Sequence, residues 1–351
     1  MNNPIFKLTQ KQEGWQAVFA FQVFHRSADE WLKMRWGFNA GALLDEALDR
    51  YKLFIESQAI NEEEFLAGTT QNNSLAMRGV HSPEYGLQMV LLGRSFAVTM
   101  EQAQQTAKQY AREIFSTFPH DFLLIPAKTE NEYHNLTGED LLTGNSNIAQ
   151  IQRGMVSLPT EHGPRYLVGL WQASSRSNEQ IWRALSAMPQ AAMFNILIQP
   201  SVLYTGEKHA LRDIKKSISN PAPNNEAISA YIPWVENYIK RRLTAWTKFF
   251  LVQIHLVADE GMENLIRSIG SAITRDSNDM ALPGYQTLYP GSTLESQQWR
   301  ENIRSLELNQ NSQHLDEIAD LEEVFSVFRF PYRPDAGLPG ANFIIEPPPD
   351  Q

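Results

Sequence analysis

An acidic pair at the end of an apolar run is the first feature that could act on a nucleotide. Residues 249–258 read FFLVQIHLVA and are followed by Asp259 and Glu260, and P-loop ATPases hold magnesium with an acidic residue after such a strand. The sequence contains neither G-x-x-x-x-G-K-[ST] nor G-x-G-x-x-G, the glycine-rich loops that cradle phosphates. We therefore interpret the pair as the solvated end of a core strand, and we expect no nucleotide cofactor.

Metal ligands and catalytic nucleophiles have no better support. The eight histidines are scattered singly, without H-x-x-x-H or H-x-H spacing. There is no cysteine and no G-x-S-x-G nucleophile elbow. We predict no metal site and no catalytic residue. The densest group of ligand-type side chains lies in a polar stretch that we interpret as a solvated acidic loop, and it consists of Glu130, Glu132, His134, Glu139 and Asp140.

Basic residues beside an aromatic ring form the one candidate contact for a charged partner. Lys240, Arg241 and Arg242 are consecutive in a helical pattern, and Trp246 and Lys248 follow. Cations interleaved with aromatics are typical of contacts with nucleic acid. The alternative is that these cations only keep the helix soluble.

Composition limits the class of protein. With 351 residues, of which 42% are hydrophobic and 20% charged, the chain can bury a core. A net charge of -10 opposes binding to nucleic acid or anionic membrane over a large face. The first residues lack the features of a signal peptide, and a cysteine-free chain suits a reducing compartment. We expect a cytoplasmic protein that reaches membranes only through its partners.

Alternation of strand and helix patterns predicts an α+β fold. We predict two halves with ferredoxin-like strand and helix order and mixed or antiparallel sheets. The first half spans 1–128, a polar connection spans 129–158, and the second half spans 159–318. Residues 319–351 are predicted to form an acidic helix and a proline-rich linker. The predicted strands are 15–26, 74–81, 85–98, 121–127, 165–173, 191–200 and 249–258, and the main helices begin at Ser27, Thr99, Ser177, Ile228 and Gly261.

The segment 320–343, DLEEVFSVFRFPYRPDAGLPGANF, carries a family resemblance. A short acidic helix with one apolar face is followed by a hydrophobic-proline pair and a leucine-proline-glycine turn. This segment resembles the one that joins the N-terminal domain to the motor domain in VirB4/TraC and HerA-like ATPases of conjugation, secretion and DNA pumping. A long helix from Thr99 and the pair Phe118-Pro119 are compatible with those N-terminal domains.

The resemblance implies a non-catalytic assembly module that recruits partners or organises an oligomer. Its main partner would be a P-loop ATPase domain, either beyond residue 351 or on a separate chain. One alternative is an enzyme of unrecognised motif with its site between the two halves, and another is a nucleic-acid-contacting accessory subunit. A further alternative is that the C-terminal aromatics close the core. The residues that would dock or link are Leu321, Phe325, Phe328, Phe330, Pro331, Leu338, Pro339 and Gly340.

Overall fold

A ten-stranded antiparallel sheet forms the centre of this computed structural model. Its main order is β1-β2-β4-β3-β9-β10-β6-β11, with β5 beside β2 and β12 beside β10, and β7 and β8 form a separate hairpin. The structure describes residues 4–25, 40–67, 73–160, 163–173, 175–219, 226–244, 246–274, 283–309 and 314–331. The strands are β1 (Lys7–Lys11), β2 (Gly14–His25), β3 (Ser74–Ser82), β4 (Gly86–Ala97), β5 (Phe122–Pro126), β6 (Asn147–Arg153), β7 (Met155–Thr160), β8 (Gly163–Val168), β9 (Ala192–Ser201), β10 (Phe249–Ala258), β11 (Tyr285–Leu288) and β12 (Ile318–Asp320).

Helices cover both faces of the sheet. They are α1 (Ala40–Ser57), α2 (Glu62–Ala67), α3 (Met100–Thr117), α4 (Glu130–Thr137), α5 (Glu139–Thr143), α6 (Ser175–Ser186), α7 (Thr205–Ser219), α8 (Glu226–Leu243), α9 (Met262–Thr274), α10 (Thr293–Ser305), α11 (His314–Glu317) and α12 (Leu321–Val327). The α+β class is therefore confirmed.

Alternation along the strands assigns side chains to the two faces. Phe19, Ile196 and Leu256 point to one face and pack with α1, α3, α6, α9 and α12. Leu197 and Val257 point to the other face, where α4, α5 and α10 cover them. The hairpin β7–β8 packs with α7 and α8 in a separate apolar cluster. Burial on both faces explains why the central strands read as nearly continuous apolar runs.

Several predicted elements are confirmed with small shifts of their ends. Strand β10 has the predicted bounds, and β3 and β4 form the predicted hairpin. Thr99 caps α3, and its hydroxyl accepts from the N–H of Gln102 at 3.3 Å. The predicted start of a helix at Ser27 lies outside the described residues. Among the described residues no helix is of a length and apolarity that would cross a bilayer.

The segment 129–158 differs from the predicted polar connection. It holds α4, α5 and β6, and β6 pairs with β10 inside the sheet. Four apolar side chains are buried along the two short helices, and they are Tyr133, Leu136, Leu141 and Leu142. The prediction of a connection there is wrong, because helix-capping residues were interpreted as loop residues.

Strands from the two predicted halves belong to one sheet. Strand β3 pairs with β9 from Leu75–Ile198 to His81–Ala192, and the principal core cluster draws side chains from both sides of 129–158. The ferredoxin-like order of each half stays a prediction.

Close packing between strand and ring gives a stability test. A Cβ added at Gly93 on β4 would lie 2.3 Å from the ring of Phe19, which is fully buried and packs edge-on against Phe21 and Tyr110. We expect Gly93→Ala to lower the free energy of unfolding by about 1–3 kcal/mol. Denaturant unfolding would measure the loss. Gly206→Ala is the matched control, because nothing lies within 4 Å of its added Cβ, and an equal loss there would contradict the steric explanation.

Candidate functional site

The five residues of the predicted basic contact do not share one surface. Lys240 is exposed, Trp246 is 93% exposed, and Lys248 is half-buried. Arg241 instead pairs with a carboxylate, and Arg242 is buried. The prediction of a partner contact is therefore wrong for Arg242, because α8 turns this residue toward the core. Lys240, Trp246 and Lys248 stay available to solvent.

Glu323 of α12 is the centre of a buried ion cluster. Its Oε1 accepts from Nη1 of Arg153 at 2.7 Å, and its Oε2 accepts from Nη2 of Arg242 at 2.8 Å. All three side chains are 0–1% exposed. The backbone N–H of Trp171 donates to Oε1 at 3.2 Å, and that of Asp320 donates to Oε2 at 3.1 Å. Glu323 therefore has the paired charges and hydrogen bonds that a buried carboxylate requires.

The two arginines connect this carboxylate to the sheet. Nη2 of Arg153 donates to the carbonyl of Ile318 at 3.0 Å, and Nη2 of Arg242 donates to the same carbonyl at 3.1 Å. The guanidinium of Arg242 also lies 3.6 Å from the centre of the Tyr238 ring, a cation–π contact. Burial acts to lower the pKa of Arg242, but the charge of Glu323 and its other neighbours raise it above the ordinary value. The cluster thus fixes β6, α8, β12 and α12 relative to one another.

A second ion pair lies at the start of the same helix. Asp320 accepts from Nε of Arg241 at 2.7 Å and caps α12 by accepting the N–H groups of Glu322 and Glu323. Glu323 completes the capping box with its bond to the Asp320 N–H. Burial acts to raise the pKa of Asp320, but the hydrogen bond from Arg241 and the charges of Arg242 and Arg241 lower it below its ordinary value.

The aromatic residues predicted to dock a partner lie mainly in the core. Phe328 is 0% exposed and Phe330 is 1% exposed. The ring of Phe330 lies 5.7 Å from Trp182 and 6.0 Å from Phe122. The docking prediction is therefore wrong for these two residues, because apolar rings at the end of α12 close this fold. Their neighbour Pro331 is buried too.

The remaining predicted docking residues divide into two groups. Leu321 and Phe325 are partly buried and pack against the same core cluster. Leu338, Pro339 and Gly340 lie outside the described residues. The linker prediction for them stays a prediction.

A polar cleft of about 1020 Å³ lies beside the start of α9. Its lining includes Ser146, Tyr289 and Arg300, and all of its lining residues lie within 142–304. It is thus not a cleft between the two predicted halves. Arg300 donates to the carbonyl of Leu141 at 3.0 Å and to that of Ser146, and burial lowers its pKa.

The acidic features found in the sequence take structural roles. Asp259 accepts a hydrogen bond from Ser146. Glu139 is buried and pairs with Arg304, so the interpretation of residues 130–140 as a solvated loop is wrong for this residue. Within the described residues, no group of three or more His, Asp or Glu side chains is placed to hold a metal ion.

One constellation of side chains was missed in the sequence. Ser201 Oγ lies 2.9 Å from Nε2 of His314, and Nδ1 of the same ring lies 2.7 Å from Oε1 of Glu207. The ring of Tyr204 stacks on His314 with 4.0 Å between centres. Ser201 and His314 are 113 residues apart, so no local spacing points to this group.

Comparison with known proteins adds no family. No family model matches this chain, and no curated protein matches it. The resemblance to VirB4/TraC and HerA-like ATPases therefore stays a prediction from residues 320–343.

Removal of the central carboxylate tests the ion cluster. Glu323→Gln keeps the side-chain shape but leaves Arg153 and Arg242 buried without their counter-charge. We expect a loss of about 3–5 kcal/mol in the free energy of unfolding, measured by denaturant titration. Glu322→Gln on the same helix is the control, because the Glu322 side chain is 58% exposed and forms a surface ion pair with Lys52. The loss for this variant should be at most about 1 kcal/mol. Equal losses would contradict the central role of Glu323.

The lowered pKa of Asp320 gives a pH test. A carboxyl whose folded pKa lies below its ordinary value of 3.8 stabilises the fold above that value, and this stabilisation is lost as the pH falls through the folded pKa. Asp320→Asn keeps a good helix cap but removes the charge. We expect the variant to be less stable at neutral pH and to lose less stability on acidification. Unfolding titrations at several pH values would show this, and Asp49→Asn, at an exposed position, should leave the profile unchanged.

Proposed function

We propose that this chain is an assembly module that holds a P-loop ATPase domain of a HerA/VirB4-like machine in a fixed place. The observation that carries the proposal is the burial of α12 by the Glu323 cluster. This helix belongs to the segment that resembles the junction with the motor in those ATPases. A junction anchored in a core fixes the position of the attached domain. A flexible tether would only raise the local concentration of that domain.

The anchoring continues to the end of the described chain. Beyond α12, the N–H of Phe328 donates to the carbonyl of Val324 at 2.7 Å, and the carbonyl of Arg329 accepts from Nδ2 of Asn178 at 3.2 Å. The Phe330 ring then packs between Phe122 and Trp182. The described chain is therefore fixed to both sheet and helices up to Phe330, which precedes the proposed attachment of the ATPase domain.

The ATPase could lie in the same reading frame beyond residue 351 or on a separate chain. In both cases ATP hydrolysis would belong to the partner. A homo-oligomer is part of this proposal, since the module would then repeat with its motor. Lys240, Trp246 and Lys248 are the described residues through which a nucleic acid handled by such a machine would be contacted.

An insertion experiment tests the fixed junction. A four-residue insertion of Gly and Ser after Pro331 should leave the melting temperature unchanged. It should uncouple the module from the proposed P-loop ATPase, whether that ATPase lies in the same reading frame or on a separate chain. We expect the module to change the rate of ATP hydrolysis by that ATPase, and the insertion to abolish the change. The same insertion in the exposed turn 83–85 of the β3–β4 hairpin is the control and should preserve the effect.

Two results would contradict the proposal. One is the finding that the ATPase neither binds the module nor changes its rate of hydrolysis when the two are joined or mixed. The other is a coupling that survives the insertion after Pro331, since a fixed junction would then be unnecessary.

A further inference from the structure

Three side chains from distant parts of the chain form a hydrogen-bonded series on one imidazole ring. The series runs from Ser201 Oγ to His314 Nε2 at 2.9 Å and from His314 Nδ1 to Glu207 Oε1 at 2.7 Å. Both distances lie within hydrogen-bond reach, which is the geometry required of a nucleophile, its base and the group that orients the base.

Each member is positioned by a separate element. Ser201 ends β9 and pairs in register with Phe249 of β10. Glu207 lies in the first turn of α7, where its Oε2 accepts from the N–H of Tyr204 at 2.8 Å. His314 begins α11, and the stacked Tyr204 ring holds the plane of its imidazole. Two hydrogen bonds on Glu207 and a stacked ring thus orient the histidine.

The hydrogen-bond directions follow from the carboxylate. A carboxylate only accepts, so the proton of the neutral ring lies on Nδ1 and is donated to Glu207. Nε2 then carries a free electron pair, and the Ser201 hydroxyl donates to it. This is the tautomer in which an imidazole can take the proton of a serine.

We propose that Ser201, His314 and Glu207 form a nucleophilic site that hydrolyses small acyl esters. Ser201 Oγ attacks the ester carbonyl and forms an acyl–oxygen bond while its proton moves to Nε2 of His314. The carbon–oxygen bond to the alcohol breaks, and the alcohol leaves with that proton. Water then attacks the acyl group, gives a proton to Nε2, and releases the acid as Ser201 regains its proton.

Burial decides the class of substrate. Ser201 is 2% exposed, while the side chains of His314 and Glu207 are 16% and 15% exposed. Tyr204 is 43% exposed beside them. The proposal is therefore limited to short acyl esters, since a folded protein or a polymer cannot reach a hydroxyl this buried. The activity goes beyond the assembly role and uses none of the residues that carry it.

Acylation with p-nitrophenyl acetate tests the site on the full chain. We expect an acetyl group on Ser201, found by mass spectrometry of peptides from briefly treated protein, together with release of nitrophenolate. His314→Gln should slow this acetylation about 100-fold or more, since a general base contributes a factor of that order. Glu207→Gln should slow it at least about tenfold through loss of the orienting charge.

Matched variants separate chemistry from folding. His134→Gln removes another histidine that faces a carboxylate, with Nε2 at 3.4 Å from Asp140, and should leave acetylation of Ser201 unchanged. Ser116→Ala removes an exposed serine whose hydroxyl donates to a backbone carbonyl and should do the same. The melting temperature of each variant shows whether it is folded.

Two outcomes would overturn the proposal. In the first, Ser201 stays unmodified in folded wild-type protein while other nucleophiles are acetylated. The hydrogen bond between Ser201 and His314 would then only fix α11. Acetylation of Ser201 at the same rate in folded Glu207→Gln and His314→Gln variants would show a reactive serine without a base. Failure of this test leaves the ATPase coupling measured after Pro331 unaffected, so the two proposals are judged separately.

Discussion

The structure depends on the pairing of two buried guanidinium groups with one carboxylate. Arg153 comes from the sheet and Arg242 from the end of α8, and both donate to Glu323. Removing three charged groups from water is costly unless each charge is paired, so these segments are stable in the core only together. The same requirement brings α12 onto the sheet, although this helix has only seven residues. Phe328 and Phe330, which follow this helix, then complete the main core.

The other face of the sheet is organised by a comparable rule for neutral polar groups. Asn309 donates from its backbone to Gln253 at 2.8 Å and accepts from the same amide at 2.8 Å, and its side chain reaches Nε2 of His255 at 2.8 Å. Burial lowers the pKa of His255 to about 3, so this imidazole is neutral near pH 7. Arg78 on β3 donates only to amide and backbone oxygens, and burial lowers its pKa to about 10. Polar residues on these strands therefore attach α10 and its following turn rather than facing water.

Local patterns in the sequence predict several elements of this fold, but they do not predict which polar residues are buried. Strand β10 and helix α3 were predicted because an apolar run and a cap with its amphipathic stripe are local patterns. The burial of Arg242 and Glu323 was missed because a buried arginine or glutamate cannot be told from an exposed one in the sequence. The two residues are also 81 positions apart, so no local pattern pairs them. The short helices α4 and α5 were missed because Gly138 and the polar caps around it are also typical of loops. The nucleophilic constellation joins three elements that only the folded sheet brings together.

Residues 314–331 contain both the helix on which the proposed assembly role rests and the histidine of the proposed nucleophilic site. The segment begins with His314, which is hydrogen-bonded to Ser201. Strand β12 then pairs with the first residues of β10. The contacts of Glu323 and Phe330 fix the end of the segment. Register places Ser201 opposite Phe249, which also lies opposite Asp320 on its other side. The serine that contacts the His314 imidazole and the aspartate that caps α12 therefore both pair with Phe249, the first residue of β10.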